Sequence, residues 1–124
     1  MGATYASLRL TNLFTQDAVS VRALVDTGSS YLILTTEVAR LLGYDLEECT
    51  VRPVSLADDR RIPVPVVGPL QIDFEDRQCR LEAVVLPGME CLLGFIPLEA
   101  MDLVVDPLNE RLVGAHPGGQ LIRA

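Results

Sequence analysis

The chain has no lysine, no tryptophan, a single histidine and three scattered cysteines. Each shortage closes off a class of explanation. Every basic residue is arginine, acids outnumber them, and the formal net charge is −7. An acidic chain without a basic cluster makes a poor nucleic-acid binder. Cys49, Cys79 and Cys91 are odd in number and lack paired spacing, so they read as buried, reduced thiols. His116 stands beside Pro117-Gly118-Gly119 with no local support for a zinc site or a Ser–His pair, and reads as an exposed tail residue. No uninterrupted apolar stretch nears the ~20 residues of a membrane span. The first residues, Met1 to Tyr5, lack the basic segment and apolar core of a secretory signal. A soluble, cytoplasmic protein is expected.

What is present is apolar and strand-like. Hydrophobic residues make up 49% of the chain and mean hydropathy is +0.31, high enough to suggest that some apolar surface lies at a subunit interface. The 124 residues amount to one domain with a core over about 5–115; 116–124 reads as a dimerisation strand or a flexible tail. Period-two alternation marks half-buried antiparallel strands. It runs through Leu8 and Leu10, through Val19, Val21, Ala23 and Val25, through Leu70, Ile72 and Phe74, and through Cys79, Leu81, Ala83 and Val85. The charged segment Glu75-Asp76-Arg77 turns one hairpin, and Pro87-Gly88 closes the next connection. Two short helices interrupt the strands. The first is capped by Thr35 or Thr36, opens on Glu37, buries Val38, Leu41 and Leu42 on one face and ends at Gly43. The second spans Pro97 to Asp102 with proline at its start. Leu103-Val104-Val105 then reads as a strand, turned back by Pro107 to Glu110 into Arg111-Leu112-Val113, and Gln120 to Arg123 as a short terminal strand. The expected class is all-β, a β-rich barrel with one main helix.

The chemistry concentrates in Asp26-Thr27-Gly28, which follows the apolar run Ala23-Leu24-Val25 and leads through Ser29-Ser30 into Tyr31-Leu32-Ile33-Leu34. An acid at the end of a buried strand, turned by glycine, presents a carboxylate from an apolar scaffold, as acid–base chemistry requires. The triplet occurs once. Taken with a helix about ten residues on, a hairpin, and Leu92-Leu93-Gly94 before a short helix, it resembles the retropepsin-like aspartic proteases from Ala18 to Val113.

The resemblance implies a closed retropepsin-like β-barrel, active as a two-fold homodimer, with no cofactor and no metal. It makes Asp26 the catalytic carboxylate. Thr27 would bond across the two-fold axis, Gly28 would let the backbone pass close to the carboxylates, and Ser29 would hydrogen-bond the outer oxygen of Asp26. The segment from Val54 to Val64 would be a flap closing over a bound peptide. Leu92-Leu93-Gly94 would form the second half of the loop layer that packs beneath the active site, and substrate contacts would fall to Leu56, Ala57, Asp58, Asp59 and Ile62 on that flap and to Leu93 and Gly94, with Ala23, Leu86 and Ile96 as apolar lining. Two carboxylates about 3 Å apart share one proton, so the charged one activates water and the neutral one protonates the leaving nitrogen.

The flap departs from the family pattern. Its tip is Ala57-Asp58-Asp59-Arg60-Arg61, no glycine occurs between Gly43 and Gly68, and Pro63 and Pro65 stiffen the returning strand. That stiffness supports a second reading, a peptide-binding or dimerisation module that keeps the protease fold without cutting. A metal- or nucleotide-binding barrel is the third reading, and it lacks both clustered ligands and a glycine-rich phosphate loop.

Overall fold

In a computed structural model, which describes residues 2–122, the alternating segments become β1 (Tyr5–Asn12) and β2 (Ala18–Val25), followed by β3 (Leu32–Leu34), α1 (Thr36–Leu41) and β4 (Thr50–Ser55). The chain continues through β5 (Arg61–Phe74), β6 (Arg77–Val85), β7 (Leu92–Leu93), α2 (Phe95–Ala100), β8 (Leu103–Asp106) and β9 (Arg111–Gly114). The first seven strands form one sheet in the order β1-β2-β7-β3-β6-β5-β4, and β1 also pairs with β5, so six of the strands are joined in a circuit of pairings. The last two strands form a separate hairpin. No helix among the described residues is long and apolar enough to cross a membrane.

Alternation explains the core. Ala6, Leu8 and Leu10 of β1 point inward with Leu70 and Ile72 of β5, and the two strands are in register at Leu10↔Ile72. At the end of β6 the alternation stops. Ala83, Val84 and Val85 are all buried, because that stretch pairs with β5 on one side and β3 on the other. Helix α1 is capped by the Thr35 hydroxyl, which accepts from the Val38 N–H at 3.2 Å, and Gly43 closes it with φ +86°. Its inward face is Ala39 and Leu42, with Val38 half-buried; Leu41 is exposed. Successive helical residues are rotated by about 100°, so burying Leu42 and Ala39 leaves Leu41 turned outward.

Four further expectations are corrected. Arg77 does not belong to the hairpin turn, which is made by Glu75 (φ +52°) and Asp76 alone. It opens β6 and is buried, donating through Nη1 to the carbonyls of Met101 (3.0 Å) and Asp102 (2.7 Å). His116 is not a free tail residue: its Nδ1 lies 2.7 Å from Asp102 Oδ1. Residues 120–122 form no strand. Instead the Gln120 amide bonds the Gln78 N–H and carbonyl at 2.9 and 2.8 Å and the Ala100 carbonyl at 2.9 Å, while the Leu121 N–H donates to Asp102 Oδ2 at 3.2 Å. Arg123, the last residue of the expected terminal strand, lies outside the described residues. Of the thiols only Cys91 is buried; Cys49 and Cys79 are half-buried. Burial, with the Asp73 charge adding to it, pushes the Cys79 thiol up to about 11.

Asp102 is the hub of the C-terminal segment. Burial works to raise its carboxyl, but hydrogen bonds from His116 and the Leu121 N–H, with the Arg77 guanidinium beside it, hold it below the ordinary carboxylate range. A carboxyl lowered by folding contributes stability above its unfolded value and loses it as pH falls through the folded one. Stability is therefore expected to fall below about pH 4, and Asp102→Asn should flatten that part of a pH series of urea titrations. Arg77→Ala strands the buried Met101 carbonyl and removes the cation beside the Asp102 carboxylate, and is expected to cost about 2 kcal/mol in the same assay, whereas the exposed Arg61→Ala should cost almost nothing.

Candidate active site

The segment from Asp26 to Tyr31 is held by backbone hydrogen bonds to the strand and helix that begin at Leu92. Strand β7 is two residues long and lies between β2, to which it runs parallel (Val25↔Leu93), and β3, to which it runs antiparallel (Leu32↔Leu93). Its Leu93 carbonyl accepts from the Asp26 N–H at 2.9 Å, immediately before the chain turns. Helix α2 starts at once. The N–H groups of Gly94, Phe95 and Ile96 donate to the carbonyls of Tyr31 (3.0 Å), Ser29 (2.9 Å) and Ser30 (3.0 Å). The first N–H groups of a helix have no partner inside it, and here the turn after Asp26 supplies them. This is why α2 begins at Phe95 and not at Pro97. Proline sits in the first turn, where its missing N–H costs nothing.

The close approach dictates glycine at position 94. Its φ of −85° is ordinary, but a Cβ there would meet the Tyr31 carbonyl oxygen at 2.5 Å, the Ser29 carbonyl oxygen at 2.6 Å and the Ser30 carbonyl carbon at 2.7 Å. All three contacts are backbone and none can swing aside.

Asp26 is half-buried immediately after β2. Its Oδ1 accepts from the Gly28 N–H at 3.1 Å, and the Ser29 N–H donates to the Asp26 carbonyl at 3.1 Å. Ser29 thus meets Asp26 through the backbone, and the hydrogen bond to the carboxylate comes from Gly28, not from the serine hydroxyl. Thr27 and Gly28 are exposed at the crest of the turn.

Asp26 opens into a groove of about 850 Å³ between this turn, the floor formed by β3 and β6, and the overhanging β4–β5 hairpin. Leu56, Ala57, Leu86 and Ile96 line it together with Gly28 and Ser29, in agreement with the sequence pattern. Ala23, Leu93 and Gly94 do not; they are buried beneath it. Asp58, Asp59 and Ile62 also lie outside the lining. Tyr31, Ile33, Arg52, Val54 and Glu82 contribute to the groove although the sequence pattern does not single them out as lining. For Glu82 a signal exists, since it occupies an outward position in the β6 alternation.

The hairpin tip shows how a turn without glycine is closed. The Leu56 N–H donates to the Arg60 carbonyl at 2.8 Å and the Asp59 N–H to the Leu56 carbonyl at 3.0 Å. Asp59 itself takes the left-handed conformation, φ +65°, that glycine favours; aspartate is among the few residues that tolerate it. Asp58 braces the turn, accepting from the Arg60 N–H at 3.2 Å and from Arg60 Nε at 2.6 Å. Pro53 faces Pro63 across the two strands.

Comparison with known proteins agrees with this geometry. A family model described as aspartyl protease matches residues 14–96. Among solved structures, EIAV protease complexed with the inhibitor HBY-793 is similar at 16% identity and a TM-score of 0.61, over 79% of this chain and 86% of that one. A retropepsin-like aspartic protease from Rickettsia conorii is similar at 22% identity and a TM-score of 0.62, over 86% of this chain and 78% of that one. The fold is therefore retropepsin-like. No curated protein matches the chain.

Because the Asp26 turn depends on the approach of α2, Gly94→Ala should destabilise strongly, by about 3 kcal/mol or more. Denaturant unfolding checks this, and a loss below about 1 kcal/mol would mean that the contact relaxes easily.

Proposed function

This chain belongs to the aspartyl protease family, and from that premise we propose that it is an aspartic endopeptidase whose two Asp26 carboxylates meet at the interface of a homodimer. The observation that carries the proposal is the Asp26 carboxylate, oriented by the Gly28 N–H at the edge of a peptide-sized groove. One chain supplies one such carboxylate. Peptide hydrolysis needs a base and an acid, and a second copy is the economical source of the other group.

In the proposed dimer the two turns face each other across the two-fold axis, with the exposed Thr27 residues bonding between chains. One carboxylate takes a proton from the attacking water. The other, kept neutral because two adjacent charges are costly, protonates the leaving nitrogen. Water attacks the carbonyl directly, so the two products separate without a covalent enzyme intermediate. The β4–β5 hairpin, acting as a flap, excludes bulk water from the peptide lying beneath it.

The braced, proline-rich hairpin supports a second reading, in which an extended peptide is held as an added strand and released uncut. The two readings diverge on one variant. Asp26→Asn preserves shape and removes the titrating group, so under the proteolytic reading it should lower cleavage of a peptide library by about 10³-fold or more. Sedimentation should still show a dimer. Cleavage that continues unchanged in the purified variant would refute the assignment.

A further inference from the structure

Besides Asp26, two charged side chains line the groove, Arg52 and Glu82, and the chemistry proposed above uses neither. They approach from opposite sides of β5, with Arg52 on β4 and Glu82 on β6. Arg52 Nη1 lies 3.8 Å from Glu82 Oε1, and the two side chains are 60% and 49% exposed. A pair so long and so hydrated contributes little to stability. Either charge is free to take another partner at small cost. Around them the groove is apolar, with Ile33, Val54, Leu56, Val66 and Leu86 among its walls. A charged contact in such a setting discriminates between peptides.

We propose that Glu82 makes this protein select peptides with an arginine or lysine side chain at a position flanking the scissile bond; the proposal rests on the peptide-cleaving reading of the same groove. A carboxylate offers about four lone-pair sites, so Glu82 can keep Arg52 and accept a substrate donor at the same time. Two features favour a cation over an anion. The remaining charged residue of the groove is Asp26, and the chain as a whole carries −7, so the surrounding field draws cationic peptides in. Glu82 also stands on a strand with neighbours on both sides in the sheet, whereas Arg52 stands on an edge strand.

The test is a peptide set that varies one flanking position at a time among Arg, Gln and Glu, read as ratios of kcat/KM. The protein should prefer Arg over Gln at one position by about three- to fivefold. Glu82→Gln should bring that ratio to about one, and Glu82→Arg should turn the preference toward Glu. An Arg preference that survives Glu82→Arg, or its absence from the unaltered protein, overturns the proposal. Fluorescence anisotropy of the same peptides with the Asp26→Asn protein reads the ratio as Kd. An Arg preference there that depends on Glu82, with no cleavage of any peptide by the unaltered protein, supports the recognition and refutes the proteolytic reading alone.

Discussion

Three backbone hydrogen bonds carry the site. The carbonyls of Ser29, Ser30 and Tyr31 accept from the N–H groups that open α2, and through them a short helix fixes the turn bearing Asp26. The arrangement satisfies two segments at once. A helix start needs acceptors and a tight turn needs donors, and each meets the need of the other. The contact is so close that position 94 admits no side chain. A change in the path of α2 would therefore be felt at the carboxylate.

The other end of α2 is held as firmly. Arg77 reaches across from β6 to the carbonyls of Met101 and Asp102, and Gln120 bonds the carbonyl of Ala100. A six-residue helix has little stability of its own; pinned at both ends, it serves as a rigid strut between the acidic turn and the Asp102 hub. Among the described residues, the edge strand of the hairpin above the groove has β5 alone as a partner. Rigidity is thus concentrated beneath the carboxylate, while the covering element is attached along one side only.

Local pattern makes the strands and the acidic turn legible in the sequence. Alternation at Leu8, Leu10, Ile72 and Ala83 locates the inward faces, and Asp26-Thr27-Gly28 with Leu92-Leu93-Gly94 locates the turn and its partner. Three-dimensional proximity is not legible in the same way. Leu93 and Gly94 lie beneath the groove and make no part of its lining because β7 is inserted between two strands. Arg77 reads as a turn residue and His116 as an exposed tail residue because their common partner, Asp102, is 25 and 14 residues away. The glycine-free hairpin tip reads as stiff, yet Asp59 takes the left-handed region and closes it. The neighbouring positions Arg52 and Glu82 are 30 residues apart in the chain, and only the shared strand β5 brings them together.

The central claim is that one working site needs two copies of the chain. Isothermal titration with a peptide mimic bearing a central hydroxyl in place of the scissile carbonyl tests it directly, because such a compound engages a paired carboxylate site. The account predicts saturation at one mimic for every two chains. Saturation at one mimic per chain, or no binding by the intact protein, would contradict it.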